Sequence, residues 1–247
     1  MEVLLMFGHP PGRFSPSEVA SRLDIDRNQA FRCLRTLQHV GFVRLDDDDR
    51  FVLTPLVEQL AASAQPQTSL ISAARLSLDD LLQATGETIN LFVRNGETLI
   101  GIDHREGLKP VRLVTQLGQS APLHAGASPK AALAFLSPGE QAAILAQLPS
   151  YPRYTTSTAT SPDALREELD VIRVRGYAVS DGDIDPDARG VGAPIFDAAG
   201  RVTGAVSVGG PSSRMTLQRL AELGERIVIT AHQISRQFGY NGPPPTI

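Results

Sequence analysis

Between residues 15 and 40, apolar side chains recur every three or four positions. Val19, Ala20 and Leu23 share one face of a helix that opens at Ser15-Pro16-Ser17-Glu18. There Ser15 can cap, Pro16 takes the first helical position and Glu18 completes a capping box. Asp24-Ile25-Asp26 reads as a tight turn with Ile25 as an apolar plug, and Asp26 can cap the next helix. From Arg27 onward, Ala30, Phe31, Cys33, Leu34, Leu37 and Val40 form a 3.6-residue stripe that stops at Gly41. The period then changes to two. Residues 42–45 and 50–54 alternate as short strands about a tip of four aspartates, Asp46 to Asp49, which predicts a hairpin. Residues 1–14 add a short helix stopped by Pro10, Pro11 and Gly12. Helix, helix, turn, helix and hairpin make a winged helix-turn-helix.

Past this point a helix over 55–64, a break over 64–69 and a long helix over 70–85 are predicted. Two alternating strands follow over 88–103 about Asn95-Gly96, a strong hairpin signal. Residues 111–116 read as a further strand. Helices open at Ser128-Pro129, Ser137-Pro138 and Ser161-Pro162, each with serine as the cap and proline first. Strands over 177–181, 191–197 and 202–210 precede a final helix over about 216–238. The expected fold class is α+β. Its parts are an N-terminal winged helix-turn-helix over 1–54, a linker helix over 55–69, a second domain over 70–240 with a mainly antiparallel sheet, and a disordered tail over 241–247.

A length of 247 residues accommodates two domains, and 42% hydrophobic with 20% charged residues is an ordinary globular composition. No apolar run reaches the ~18 residues needed to span a bilayer. The opening residues lack the basic segment and long apolar stretch of a secretory leader. A cytoplasmic protein with no membrane partner is expected. The single cysteine, Cys33, excludes an intrachain disulfide framework and a cysteine-rich zinc site, and its place on the stripe predicts a core side chain.

The net charge of −4 changes the picture only when it is resolved along the chain. Residues 1–64 hold seven arginines and nine acids, four of which are the run Asp46–Asp49. Between Arg27 and Arg44 there are four arginines and no acid. In the second helix of a helix-turn-helix, the N-terminal residues face base edges in the major groove. Arg27, Asn28, Gln29 and Arg32 occupy that face: asparagine and glutamine can read adenine, arginine can read guanine. Arg35 and Arg44 suit phosphate, and Arg44 with Arg50 at the base of the wing would make its contacts while the acidic tip stays in solvent. No nucleophile elbow, metalloprotease helix, phosphate-binding loop or dinucleotide fingerprint is found. No catalytic residue, metal or cofactor is therefore expected. The alternative is a small-molecule-processing enzyme with an accessory helix-turn-helix.

The segment SEVASRLDIDRNQAFRCLRTLQHVGFVRL (17–45), with PLHAGASPKAALAFL (122–136), RGYAVSDGDIDPDARGVGAPIFD (175–197) and GAVSVGGPSSR (204–214), resembles the IclR family of bacterial transcription regulators over nearly the whole chain. The resemblance implies a linker helix and a GAF-like effector-binding domain behind the DNA-binding module. It also implies a ligand-responsive regulator, repressor or activator. Two positions depart from the family pattern. Ser128-Pro129-Lys130 stands where Leu-Gly-Lys is usual, and Gly190 stands where cysteine or serine is common.

Carried over by motif, the ligand site comprises Gly126, Ala127, Ser180, Asp181, Gly190, Ser207 and Gly209. Their chemistry suits a small organic acid: glycine and alanine leave room, and a helix start favours an anion. Ser207 supplies a hydroxyl, and Gly190 is expected to enlarge the pocket. His124 either reaches the pocket mouth or packs, and His104, Arg105 and Lys109 read as a solvated basic loop. One recognition helix per chain calls for a symmetric pair on a palindromic operator. A homodimer is expected through apolar residues such as Leu56, Leu60, Leu70, Leu76 and Leu81, with a tetramer implied by the family.

Overall fold

The computed structural model describes residues 2–8, 10–64 and 70–245. The chain forms two compact units, residues 1–67 and 68–247. All but the first residue of the predicted break at 64–69, and the last two tail residues, lie outside the described residues.

The first unit runs α1 (Glu2–Leu5), β1 (Arg13–Phe14), α2 (Pro16–Leu23), α3 (Arg27–His39), β2 (Val43–Leu45), β3 (Phe51–Leu53) and α4 (Leu56–Ala64). The capping box at α2 is formed as expected, with the Glu18 N–H donating to Ser15 Oγ at 3.3 Å and the Ser15 N–H to Glu18 Oε2 at 2.7 Å. The C-cap of α2, Asp24, is left-handed (φ 51°), which turns the chain into α3. The strands order as β1-β3-β2, all antiparallel. Two-residue β1 was not predicted; it is too short to show alternation. Phe14, Val19, Ala30, Leu34, Val43 and Phe51 make the core. The α3 stripe is narrower than its sequence suggests. Ala30 and Leu34 are buried, and Cys33 is half-buried and packs against this core. Phe31 and Val40 are about half exposed, because neither lies on the line through Ala30, Leu34 and Leu37.

The second unit runs α5 (Leu70–Thr85), β4 (Thr88–Asn95), β5 (Thr98–Arg105), β6 (Ser120–Pro122), α6 (Ala127–Ala134), α7 (Pro138–Gln147) and α8 (Pro162–Arg175). It ends with β7 (Ala178–Asp181), β8 (Ala188–Phe196), β9 (Val202–Pro211) and α9 (Leu217–Gln237). Its sheet has the order β6-β5-β4-β9-β8-β7, every pair antiparallel. Ile89, Leu91, Val206 and Val208 point to a core shared with α5 and α9. On the opposite face Leu99, Ala178 and Ala205 meet α6, α7 and α8.

Three expectations are corrected here. Residues 111–116 are not a strand; the sheet edge beside β5 is taken by β6 instead. The 111–116 segment is held by side chains, with Thr88 Oγ1 donating to the Leu113 carbonyl at 2.8 Å and Arg214 Nη2 to that of Val111 at 2.7 Å. The cap of α6 is Gly126 (φ 92°), not Ser128, and makes no side-chain cap bond. Residues 241–245 are not disordered: the Tyr240 ring stacks on Phe196 at 5.2 Å, its hydroxyl donates to the Pro243 carbonyl at 3.1 Å, and Pro245 is buried. No described helix is long and apolar enough to cross a membrane.

Candidate nucleic-acid interface and ligand cavity

In the first unit, the carboxylate of Asp26 accepts from the backbone N–H groups of Asn28 at 2.7 Å and Gln29 at 3.3 Å, which fixes the start of α3. Arg27, Asn28, Gln29 and Arg32 all project to solvent from its N-terminal half. Arg35 is exposed and donates to Gln38 Oε1 at 2.9 Å; Arg44 is exposed on β2 and donates to the Leu45 carbonyl at 3.3 Å. Arg50 is placed differently from the other six. It is half-buried and donates to Glu18 Oε1 at 3.0 Å, so the capping residue of α2 already holds its charge.

The aspartate run is explained by turn chemistry. Asp46 accepts from the N–H groups of Asp48 at 3.0 Å and Arg50 at 2.9 Å, and Asp49 is left-handed (φ 57°). The Arg50 N–H, more than any other group, holds the Asp46 carboxyl below the usual carboxylate range. Arg13, on the unpredicted β1, sits 3.1 Å from Asp48 and 3.9 Å from Asp46 and offsets the tip's charge.

In the second unit, a cavity of about 660 Å³ lies over the face of the sheet that carries Asn90, Ser207, Gly190 and Gly209. Such a volume is typical of small-molecule sites. The start of α6 forms one wall, residues 112–116 and 119–121 cover it, and Ser180, Ile184 and Arg189 stand at another side. Six of the seven predicted residues line it: Gly126, Ala127, Ser180, Gly190, Ser207 and Gly209. Asp181 does not. Its carboxylate faces away and pairs with Arg189 Nε at 2.5 Å.

The acid that matters structurally is Asp183, which the sequence reading missed. Its side chain is 5% exposed and accepts from Lys130 Nζ at 2.8 Å, the Gly126 N–H at 2.9 Å and the Ser180 hydroxyl. Burial pushes its carboxyl up, but Lys130 and these hydrogen bonds outweigh that and hold it below its usual range. Lys130 also reaches Glu168 of α8 at 2.7 Å. A signal was available: a lysine one turn into an alanine-rich, buried helix requires a nearby acid.

Gly190 does not enlarge the cavity, contrary to expectation. A Cβ there would come within 2.7 Å of the Val208 carbonyl oxygen, so the close approach of β8 and β9 explains the glycine. Gly192 answers a similar demand, since a Cβ would meet the backbone of Ala127 and Ser128 at 2.8 Å. His124 packs rather than opening onto the cavity: Nε2 lies 3.0 Å from the Pro152 carbonyl, and its ring lies tilted against Tyr151 and stacks on Tyr154. Burial holds its pKa below the ordinary histidine value. The expected solvated basic loop is also revised, because Arg105 pairs with Asp79 and Asp103, and Lys109 with the buried Glu87. Both arginines lining the cavity carry partners as well, Arg112 with Glu106 at 2.7 Å and Arg189 with Asp181.

A capped helix exposing Arg, Asn and Gln in a winged helix-turn-helix, with a polar-floored cavity in a second unit, defines a DNA-binding regulator with a ligand-sensing domain. Comparison with known proteins agrees. Residues 1–47 match the IclR helix-turn-helix domain and residues 62–236 the bacterial transcriptional regulator IclR C-terminal domain. The chain belongs to the IclR family. It is 32% identical over 220 residues to the HTH-type transcriptional regulator BhcR of Paracoccus denitrificans, which covers 89% of this chain and 78% of that one. It is 31% identical to the HTH-type transcriptional repressor AllR of Escherichia coli, over 94% and 86% of the two chains. The crystal structure of the Thermotoga maritima IclR superimposes with a TM-score of 0.72 at 30% identity, over 97% and 96%. The protein is a transcriptional regulator with a DNA-binding domain and an effector domain, not an enzyme.

Proposed function

We propose that this chain binds a palindromic operator as a symmetric oligomer and that a small organic acid in the 660 Å³ cavity modulates that binding. The first unit serves DNA and the second serves the effector, in the cytoplasm. Arg27, Asn28, Gln29 and Arg32 would enter the major groove, with Arg35 and Arg44 on phosphate. Arg50 contributes through Glu18 rather than through DNA.

The observation that carries the effector reading is the start of α6. The Gly126 N–H is consumed by Asp183, but the Ala127 and Ser128 N–H groups belong to the first turn of the helix, and the buried Ser128 hydroxyl has no partner among the described residues. Such a group of donors at the positive end of a helix suits a carboxylate. For assembly, Leu70 and Leu81 are excluded as contacts, because both are buried in the core of their own unit. Ile71, at 42% exposure, and Leu76, at 69%, remain on α5 for a second copy.

Fluorescence anisotropy on the DNA upstream of the gene tests the reading. Binding should weaken as salt rises, with a log–log slope of about −0.9 per phosphate contacted. It should also shift when an organic acid that raises the melting temperature is added. Light scattering should give a dimer or larger; a monomer at working concentration, or DNA affinity indifferent to salt, would refute it.

A further inference from the structure

Of the chain's nine phenylalanines, Phe31 is the one left exposed, at 48%. It lies in the N-terminal half of α3, next to the fully buried Ala30. Side chains three and four positions apart share a helix face. Phe31 therefore stands one turn after Arg27 and Asn28 and one turn before Arg35, all three of them exposed. No acid lies between Arg27 and Arg44. A single apolar residue in water is ordinary on a protein surface. What sets this one apart is its neighbours, arginine and asparagine on the second helix of a helix-turn-helix. Helix formation does not ask for it either, since an aromatic residue favours a helix less than alanine, arginine or glutamine does.

The major groove presents hydrogen-bond donors and acceptors on every base pair, and a single apolar group, the C5-methyl of thymine. A phenyl ring has no hydrogen-bonding N or O atom, so phosphates and polar base edges offer it nothing. Pressed against guanine or cytosine, it would strip water from polar atoms and leave them unpaired. Wedging between base steps belongs to minor-groove proteins that kink the duplex, not to a helix lying in the major groove. Against a thymine methyl, two apolar groups leave water together. Resting on the reading of α3 as the base-reading helix, we infer that Phe31 is a specificity-determining residue that reads one thymine in each half-site through its methyl group.

Uracil differs from thymine only in lacking that methyl, so it removes this contact and keeps the polar edge of the base pair. Anisotropy of the full chain would be measured on the DNA upstream of the gene, with thymine replaced by uracil at one symmetric pair of protected positions at a time. At one such pair wild-type affinity should fall about fifteenfold, about fourfold for each buried methyl and twice over at well-separated positions. Phe31→Ala should bind the thymine operator at least as weakly as wild type binds the uracil one, and should no longer distinguish the two. Its melting curve should overlay that of wild type, because the ring stands half in water. A large fall in melting temperature would make the ring a core group, and a smaller oligomer in light scattering would make it a contact between copies. Either result overturns the inference. So does a wild type indifferent to every uracil replacement, or a uracil loss that survives in Phe31→Ala. Arg32→Ala separates the inference from the reading beneath it. If that variant loses affinity while uracil has no effect anywhere, α3 reads bases and only the role of Phe31 fails. If neither Arg32→Ala nor Phe31→Ala changes binding, the reading of α3 and the inference fail together.

Discussion

Asp183→Ala is expected to destabilise the effector domain by about 3–5 kcal/mol, as removal of one partner from a buried ion pair does. Lys130 and Asp183 are 6% and 5% exposed, and the same carboxylate also holds the Gly126 N–H and the Ser180 hydroxyl. Glu168 still neutralises Lys130 in the variant, which places the cost toward the lower end of that range. The loss should depend on pH with a definite sign. The folded-state pKa of Asp183 is depressed, so the pair's contribution is fully present above the unfolded value, about 3.9. It is lost as pH falls through the lower folded value. Urea melts of the two proteins should differ at pH 7 and converge in strong acid. A difference at pH 7 within about 1 kcal/mol, the size of a surface ion pair, would show that Asp183 is not the anchor of the Gly126 turn.

Arg32→Ala is expected to weaken operator binding by at least about thirtyfold. One arginine reading a base edge is worth about 1–3 kcal/mol, and a symmetric pair on a palindrome loses it twice at well-separated positions. Arg50→Ala is the informative comparison. Its guanidinium is held by Glu18 at 3.0 Å, so this change should leave DNA affinity within about threefold and lower stability by no more than about 1 kcal/mol. Titrations on one operator fragment at fixed salt would distinguish them. Equal losses in the two variants would mean that the wing base, not α3, dominates the contact.

Local chemistry made much of this legible. The Ser15 and Asp26 caps, the Asn95-Gly96 hairpin and the serine-proline starts of α7 and α8 each depend on residues within a few positions of one another, and each formed as expected. Pairings over long sequence separations were not legible. Arg50 and Glu18 lie 32 residues apart, and nothing local in the wing shows that its arginine is occupied. The exchange of Asp181 for Asp183 has a more specific cause. Along β7 the strand alternation turns Ser180 into the cavity and Asp181 out. Gly182, at φ 74°, then breaks the alternation and turns Asp183 back toward Lys130. Residues 111–116 show the converse: they alternate without pairing, because β6 holds the edge, and Val111 and Val114 stand exposed.

The central claim is that ligand in the cavity and DNA on α3 are coupled, and Ser207→Leu tests it most directly. Ser207 lies on the cavity floor between Asn90 and Gly192, where a leucine fills space the ligand needs without touching the first unit's core. Operator anisotropy would be measured for wild type and variant, with and without the acid giving the largest thermal shift. The account predicts equal affinity for DNA in the absence of the acid and a response to it in wild type alone. A Ser207→Leu protein whose operator binding still shifts with the acid as wild type does would contradict it.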